Sequence, residues 1–231
     1  MKPYIVAIIT AGGKGKRLKT EIKKQFLCIK KRPLLFWTID NFAKHSQIDE
    51  IIIVLPREDI KIYQDQIYSE FSFSNVSVVP GGPERQDSVC NAIHACHPKT
   101  NIVLIHDGVR PFVSEKEISD LIKIALYSKA VIPISKIKNT IKEIKNEHII
   151  KTVNRENLAN ALTPQVFDYK LIKTLHEKAK IEELYFTDDA AILEHYGHLV
   201  SVYESEAFNL KITTKIDFEI AKNIIENNLF E

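Results

Sequence analysis

Three short segments carry residue types suited to phosphate chemistry. The first is Ala11-Gly12-Gly13-Lys14-Gly15-Lys16-Arg17-Leu18. Its glycines let the backbone approach a ligand closely and turn N–H groups toward it, and its Lys and Arg residues supply positive charge. The spacing matches neither common phosphate motif. A Walker loop needs Gly-Lys-Ser/Thr after four intervening residues, and the dinucleotide fingerprint needs a third Gly where Leu18 stands. A plain tight turn is the structural alternative. The second segment, Gly81-Gly82-Pro83-Glu84-Arg85-Gln86-Asp87-Ser88, opens a helix bearing Val89, Ala92, Ile93 and Cys96, and taken alone it reads as an ordinary capped strand-to-helix turn. The third, His106-Asp107-Gly108-Val109-Arg110-Pro111, ends a strongly apolar run. A carboxylate there suits Mg²⁺, which takes one or two carboxylates together with substrate phosphates. Asp107 capping a turn is the alternative. His106 is left out of catalysis, because attack on phosphorus needs no protein base.

The elements around these segments decide whether they meet. Short β-branched runs at Tyr4–Thr10, Ile51–Leu55, Val76–Val79, Ile102–His106 and Ala130–Ile134 alternate with helical patterns at Pro33–Lys44, Asp59–Phe71, Gln86–Cys96 and Glu115–Ser128. That alternation predicts an α/β fold, Rossmann-like, with a largely parallel sheet. Ser114 and Glu117 predict a capping box, and Ile118, Leu121, Ile122 and Ala125 an apolar face. Ligands of such sheets sit beyond the carboxyl ends of the strands. Each of the three segments follows an apolar strand, so all belong on one edge. Together they point to a nucleoside triphosphate with its metal.

Past the fifth run the pattern changes. Thr140–Ile144 and Ile149–Val153 read as two strands joined by a polar turn at Lys145–His148. Such a protruding arm cannot bury both faces on its own domain, which predicts packing against a partner subunit. Helices at Tyr169–Lys180 and Asp188–His195 follow, the latter with Thr187 as N-cap and Gly197 beyond its end. A strand at Leu199–Glu204 and a helix at Lys215–Asn227 close the chain.

Composition narrows the class. The 231 residues are 45% hydrophobic, which suits a single domain spanning 1–231 with a β-arm at about 136–155. With 32 Lys and Arg against 30 Asp and Glu, a net charge of +2 leaves no nucleic-acid footprint. Basic character is local, in Lys14, Lys16, Arg17, Lys19, Lys23 and Lys24, and a solvated loop would explain it equally. Cys28, Cys90 and Cys96 form no CxxC pair, and Cys90 and Cys96 read as buried small hydrophobes. A reducing cytoplasm is expected. The run Tyr4–Thr10 is too short to span a bilayer, and no signal peptide precedes it.

At these residues the chain resembles the 2-C-methyl-D-erythritol 4-phosphate cytidylyltransferases of the non-mevalonate isoprenoid pathway. The resemblance rests on Ala11–Leu18, Lys24-Gln25-Phe26, Gly81–Val89, His106–Pro111, Thr152–Arg155, Ala161–Gln165, Thr187–Leu193 and Asn209–Thr213, in that order. It implies a homodimer clasped through the arm, with CTP and a small sugar-alcohol phosphate as substrates and Mg²⁺ as cofactor. It further implies that Ala11, Gly12, Gly13 and Gly15 wrap the triphosphate while Gly82 and Ser88 hold the cytosine and ribose. Arg17 and Lys24 would stabilise charge on the α-phosphate, and Asp107 would hold the metal. Lys211 and Arg155 would position the acceptor phosphate, Arg155 reaching across from the other subunit. Arg110, Thr140, Thr163 and Thr187 would contact the acceptor. The implied reaction is in-line displacement of pyrophosphate, driven by positioning and cations rather than a covalent intermediate.

The chain departs from the family pattern at Lys136-Ile137-Lys138-Asn139-Thr140, where Pro-Val-Lys/Arg-Asp-Thr is usual, and at Phe208, where a polar residue is common. A ribitol-5-phosphate cytidylyltransferase shares the fold and CTP loops and is the nearest alternative. Thr187–Ala190 and Asn154–Leu158 lean toward the methylerythritol branch. A catalytically silent nucleotide-binding protein is the third reading, although binding alone would not demand Arg17, Lys24, Asp107, Arg155 and Lys211 together.

Overall fold

The computed structural model describes residues 2–12, 23–72, 74–205 and 208–230. The chain opens with β1 (Tyr4–Thr10), a 3₁₀ turn (Lys24–Phe26), the short pair β2 (Cys28–Ile29) and β3 (Arg32–Pro33), and α1 (Leu34–Ala43). It continues with β4 (Glu50–Leu55), α2 (Arg57–Glu70), β5 (Val76–Pro80), α3 (Arg85–Ala95), β6 (Thr100–Asp107), α4 (Glu115–Ser128) and β7 (Ala130–Lys136). Then come the arm, β8 (Ile141–Lys145) and β9 (His148–Val153), followed by β10 (Ala159–Ala161), β11 (Gln165–Asp168) and α5 (Tyr169–Ile181). The last elements are α6 (Asp189–His195), β12 (Ser201–Glu204) and α7 (Lys215–Glu226).

The central sheet runs β10-β7-β11-β6-β1-β4-β5, with β12 also pairing with β7. Pairs β1–β4, β1–β6, β4–β5 and β7–β12 are parallel, as the alternating pattern predicts. Two strands lie outside that pattern. β11 inserts antiparallel between β6 and β7, and β10 lies antiparallel on β7. Three- and four-residue strands are too short to display a period of two, so their pairing is a tertiary fact.

Residues of β1 alternate between the two faces. Ile5, Ala7 and Ile9 pack with α1, α2 and α4, while Val6 and Ile8 pack with α3, α5 and α6. Because both faces are covered, the strand reads as a continuous apolar run. A third cluster seats α7 through Ala221 over Ile29, Leu34, Val109, Phe112 and Ile212. It thereby holds the segment after β6 against the segment before α7. Truncating a fully buried core side chain such as Leu34 would cost roughly 2–5 kcal/mol.

The helix ends refine the sequence reading. Ser114 caps α4 by accepting from Glu117 N at 3.1 Å, but the box does not close. The Glu117 carboxylate turns away, taking Ser205 Oγ at 2.6 Å and Asn209 Nδ2 at 3.2 Å. The N-cap of α6 is Asp188 rather than Thr187, with Asp188 Oδ1 accepting from Ala191 N at 3.0 Å. A carboxylate is the stronger acceptor for exposed helix N–H groups, so Thr187 is left outside the helix. Gly197 follows α6 at φ 76°, as a left-handed terminator should.

The arm forms as expected. Its strands pair Ile141 with Val153 and Ile144 with Ile149, and the turn residues Asn146 and Glu147 have φ of 49° and 65°. Positive φ at both positions is the primed hairpin geometry. Ile144, Ile149 and Ile150 are exposed in the single chain.

Candidate active site

The three loops meet because neighbouring strands stitch their first residues together. Ala11 N donates to Val54 O at 2.9 Å, Gly81 N to Leu55 O at 2.8 Å, and Gly108 N to Thr10 O at 2.9 Å. All three bonds lie at the carboxyl ends of parallel strands. Gly108 leaves no room for a side chain, since an added Cβ would stand 2.9 Å from Leu35 Cδ1 and 3.0 Å from Thr10 O.

A cleft of about 210 Å³ opens above this edge, lined by Ala11, Gly12, Lys24, Gly82, Ser88, Asp107 and Lys211 among others. Lys24 reaches it from the 3₁₀ turn. Its neighbour Gln25 is buried and donates Nε2 to Ala11 O at 2.7 Å, which pins that turn to the glycine loop. Phe26 stacks on Tyr63 with ring centroids 3.5 Å apart. On the other wall, Gly82 N donates to Ser88 Oγ at 3.0 Å and Ser88 Oγ donates to Glu84 O at 3.0 Å. Ser88 thus shapes the turn while lining the cleft. A Cβ on Gly82 would fall 2.4 Å from Asp87 Cβ, so only glycine fits there.

A second cavity of about 260 Å³ adjoins the first and is lined by Arg110, Thr163, Thr187 and Asp188, with Arg85, Asp107 and Lys211 common to both. Asp107 sits on that boundary. Its Oδ2 accepts from Arg110 Nε at 2.9 Å and pairs with Lys211 Nζ at 3.0 Å. Burial alone would raise its pKa, but Lys211, Arg110 and Arg85 outweigh it and hold the carboxyl well below the usual range. Asp107 Oδ1 makes no hydrogen bond among the described residues, which leaves one carboxylate oxygen for a cation. No group of three or more His, Cys, Asp or Glu side chains among the described residues could hold a metal by itself. A single carboxylate together with substrate phosphates is a donor set that Mg²⁺ takes.

Behind Asp107 the polar groups are satisfied in sequence. His106 Nε2 donates to Arg110 O at 3.0 Å, so in the neutral ring Nδ1 accepts from Thr163 Oγ1 at 3.0 Å. Thr163 Oγ1 in turn accepts from Asp107 N at 3.2 Å. Complete burial pushes the His106 pKa down to about 4, so the ring is neutral and its two nitrogens are taken up by Arg110 O and Thr163 Oγ1. Asn209 closes the base, with Nδ2 donating to Thr163 O at 2.6 Å and its backbone carbonyl accepting from Arg110 Nη1 at 2.8 Å. This fixes the segment carrying Lys211.

Of the other residues singled out from the sequence, Gly13, Gly15 and Arg17 lie outside the described residues. Arg155 and Thr140 are exposed and line neither cavity of their own chain. Arg155 bonds instead to the carbonyl of Lys138. Sequence reasoning passed over Gln25, Gln165 and Arg85. Gln165 Oε1 accepts from Asp189 N and Ala190 N, both at 3.1 Å, and its Nε2 donates to Asp188 Oδ2 at 2.7 Å, so it docks the start of α6 against β11. All three lie within motifs carrying the resemblance, and that was the available signal. Cys90 and Cys96 are buried, as expected, and Cys28 is exposed.

Cations, glycine turns and one buried carboxylate at the carboxyl edge of a parallel sheet, with two joined cavities, define a nucleotidyltransferase. The sequence pattern of the family described as IspD, 2-C-methyl-D-erythritol 4-phosphate cytidylyltransferase, matches residues 5–227. The chain belongs to that family. It is 45% identical over 223 residues to the 2-C-methyl-D-erythritol 4-phosphate cytidylyltransferase of Clostridium botulinum strain Loch Maree, covering 95% of this chain and 96% of the relative. The enzyme of that name from Clostridium perfringens strain SM101 is 42% identical over 96% of this chain and 99% of its own length. Among solved structures, 4-diphosphocytidyl-2C-methyl-D-erythritol synthase from Anaerococcus prevotii superposes with a TM-score of 0.86 at 34% identity, covering 98% of this chain and all of that one. The 2-C-methyl-D-erythritol 4-phosphate cytidylyltransferase of Thermus thermophilus gives 0.77 at 28% identity, covering 95% and 98%.

Proposed function

We propose that this protein transfers CMP from CTP to 2-C-methyl-D-erythritol 4-phosphate, releasing pyrophosphate, for isoprenoid precursor synthesis. The observation that carries the reading is the pair of cavities joined across Asp107 and Lys211. One cavity has the glycine turns and Lys24 and receives the nucleotide, and the other has Arg110, Thr163 and Thr187 and receives the acceptor. The acceptor phosphate oxygen attacks the α-phosphorus at the boundary, and the bond to the bridging oxygen of pyrophosphate breaks. Ala11, Gly12, Gly13 and Gly15 wrap the triphosphate through backbone N–H groups, and Gly82 and Ser88 hold the cytosine end. Arg17 and Lys24 stabilise charge on the α-phosphate. Asp107 is the side chain for Mg²⁺, which when bound neutralises triphosphate charge.

The chain acts as one domain, and as a homodimer whose β-arm carries Arg155 and Thr140 to the partner's acceptor cavity. Exposed Ile144, Ile149 and Ile150 support that assembly, because an apolar arm tip in water calls for a covering surface. Among the described residues no helix is long and apolar enough to cross a membrane. Free cysteines fit a reducing cytoplasm. Incubation with CTP, Mg²⁺ and a panel of sugar-alcohol phosphates tests the reading, with pyrophosphate release as the readout. Methylerythritol phosphate should turn over fastest. Faster turnover of ribitol 5-phosphate would assign the protein to the other branch, and no nucleotidyl transfer to any acceptor would leave a binding protein.

A further inference from the structure

Among the described residues, both cavities share one cation besides Lys211. Lys24 lines the nucleotide side and Arg110 the acceptor side, whereas Arg85 and Lys211 line both. Arg85 is the first residue of α3, at the end of the second glycine turn. Its Nη2 donates to Asp189 Oδ2 at 2.7 Å, with the Arg85 side chain 33% exposed and that of Asp189 only 1%. Asp189 is the first residue of α6, immediately after the N-cap. Burial would raise the Asp189 pKa, but Arg85 first and then His176, whose Nε2 lies 3.2 Å from Oδ1, hold it at about 2. The carboxylate is therefore charged at every working pH and anchors the guanidinium.

That anchor occupies one corner of a group with five N–H donors. Among the described residues the guanidinium makes no other hydrogen bond, and its charge is felt at Asp107. A partly exposed fork with spare donors, fixed from behind by a buried carboxylate, matches the bidentate geometry of phosphate recognition. The reaction brings two anionic phosphates into contact at the boundary where Arg85 stands, and their repulsion must be offset there.

We propose that Arg85 grips the acceptor phosphate at that boundary while its oxygen attacks the α-phosphorus, with Asp189 as the residue that orients it. The inference rests on the cytidylyltransferase reading. Arg85 takes part in no bond change. The new bond joins the acceptor phosphate oxygen to the α-phosphorus, and the bond to the bridging oxygen breaks as pyrophosphate leaves with the electron pair.

The test compares wild type with Arg85→Lys, Arg85→Gln and the double variant Arg85→Gln/Asp189→Asn. The double change removes the buried carboxylate that Arg85→Gln alone would leave with only His176 beside it. CTP affinity, by calorimetry with Mg²⁺ present, should stay within about threefold of wild type in all three. The kcat/KM for the acceptor should fall by about 10²–10³-fold in Arg85→Gln, the loss typical of one transition-state donor. The double variant should regain the wild-type thermal midpoint without regaining activity. Arg85→Lys keeps the charge and the pair with Asp189 but not the fork, and should still lose roughly tenfold or more. Recovery of activity in the double variant, or full activity in Arg85→Lys, would reduce Arg85 to a structural partner of Asp189. Loss of CTP affinity in step with turnover would assign it to the nucleotide instead. If wild type uses another sugar-alcohol phosphate, the same comparison is run with that acceptor. Wild type without any transfer would defeat the activity reading and this inference together.

Discussion

Asp107 and Lys211 come from distant parts of the chain and meet at 3.0 Å on the floor shared by two cavities, the carboxylate buried and the ammonium side chain still 39% exposed. One charge is locked and the other remains open to a ligand. The two oxygens of Asp107 divide two tasks: Oδ2 holds Lys211 and Arg110, and Oδ1, without a hydrogen bond among the described residues, is the one proposed to take the metal.

Asp107→Asn separates those tasks. The amide preserves shape but removes the charge, so Mg²⁺ activation should shift to higher metal concentration and kcat should fall. Lys211 should also lose its fixed position, which would appear as a raised KM for the acceptor. An unchanged Mg²⁺ titration would return Asp107 to a purely structural role.

Lys24 offers a cleaner test, because its 3₁₀ turn is anchored by the buried side chain of Gln25. Because Gln25 pins the turn, Lys24→Ala should move stability by about 1 kcal/mol at most, keeping its thermal midpoint within about 4 °C of wild type. Turnover should fall by about 10²-fold or more, by analogy with loss of one transition-state donor. Near-native kcat would show a lysine with no part in the chemistry.

His106 makes stability depend on pH with a definite sign. The folded ring titrates at about 4, whereas an unfolded one titrates near ~6.5. Between those values the unfolded chain binds more protons, so stability rises with pH. The contribution is complete above about pH 6.5 and is lost as pH falls toward 4, an effect on the order of 3 kcal/mol. Urea unfolding at pH 7 and pH 5 should show the loss in wild type, and His106→Gln should flatten the slope. Identical slopes for the two proteins would mean that the ring titrates normally in the fold.

How much of this was legible beforehand depends on the range of each interaction. The alternating β-branched runs set β1, β4, β5, β6 and β7, and the residue types at their ends set the site, because both signals lie within a few adjacent residues. Asn146-Glu147 at the arm turn was readable as polar spacing, although its two left-handed residues were not. The insertion of β11 between β6 and β7 was hidden, since Gln165-Val166-Phe167-Asp168 has no distinctive period. Partner choice was hidden for the same reason. Glu117 could serve Ser114 or Ser205, and Arg85 could solvate or pair with Asp189, and only tertiary packing decides. Local chemistry names the candidates, and the fold chooses among their partners.

The arm carries the last prediction and the one most open to failure. Arg155 sits just past β9, is exposed, bonds to its own Lys138 carbonyl and lines neither cavity of its own chain. Thr140, just before β8, is likewise exposed. If the arm crosses to a partner, two different inactive chains should complement one another. Mixing Lys24→Ala chains with Arg155→Ala chains forms heterodimers in which one site combines both defects. The other site then has native Lys24 from one chain and native Arg155 from the other. Activity should therefore reappear after subunit exchange, approaching one working site per heterodimer. The segment Lys136–Asn139 differs from the family pattern, yet β8 and β9 still pair from Ile141–Val153 to Lys145–His148, so the arm is formed. An arm folded back on its own domain would leave the mixture as inactive as its components. With exchange verified by mass spectrometry of tagged chains, absence of recovery would mean that Arg155 acts within its own chain or takes no part. Charge reversal at the tip would not discriminate, because it would disturb either arrangement. Complementation does, because only a shared site can assemble two intact halves from two broken chains.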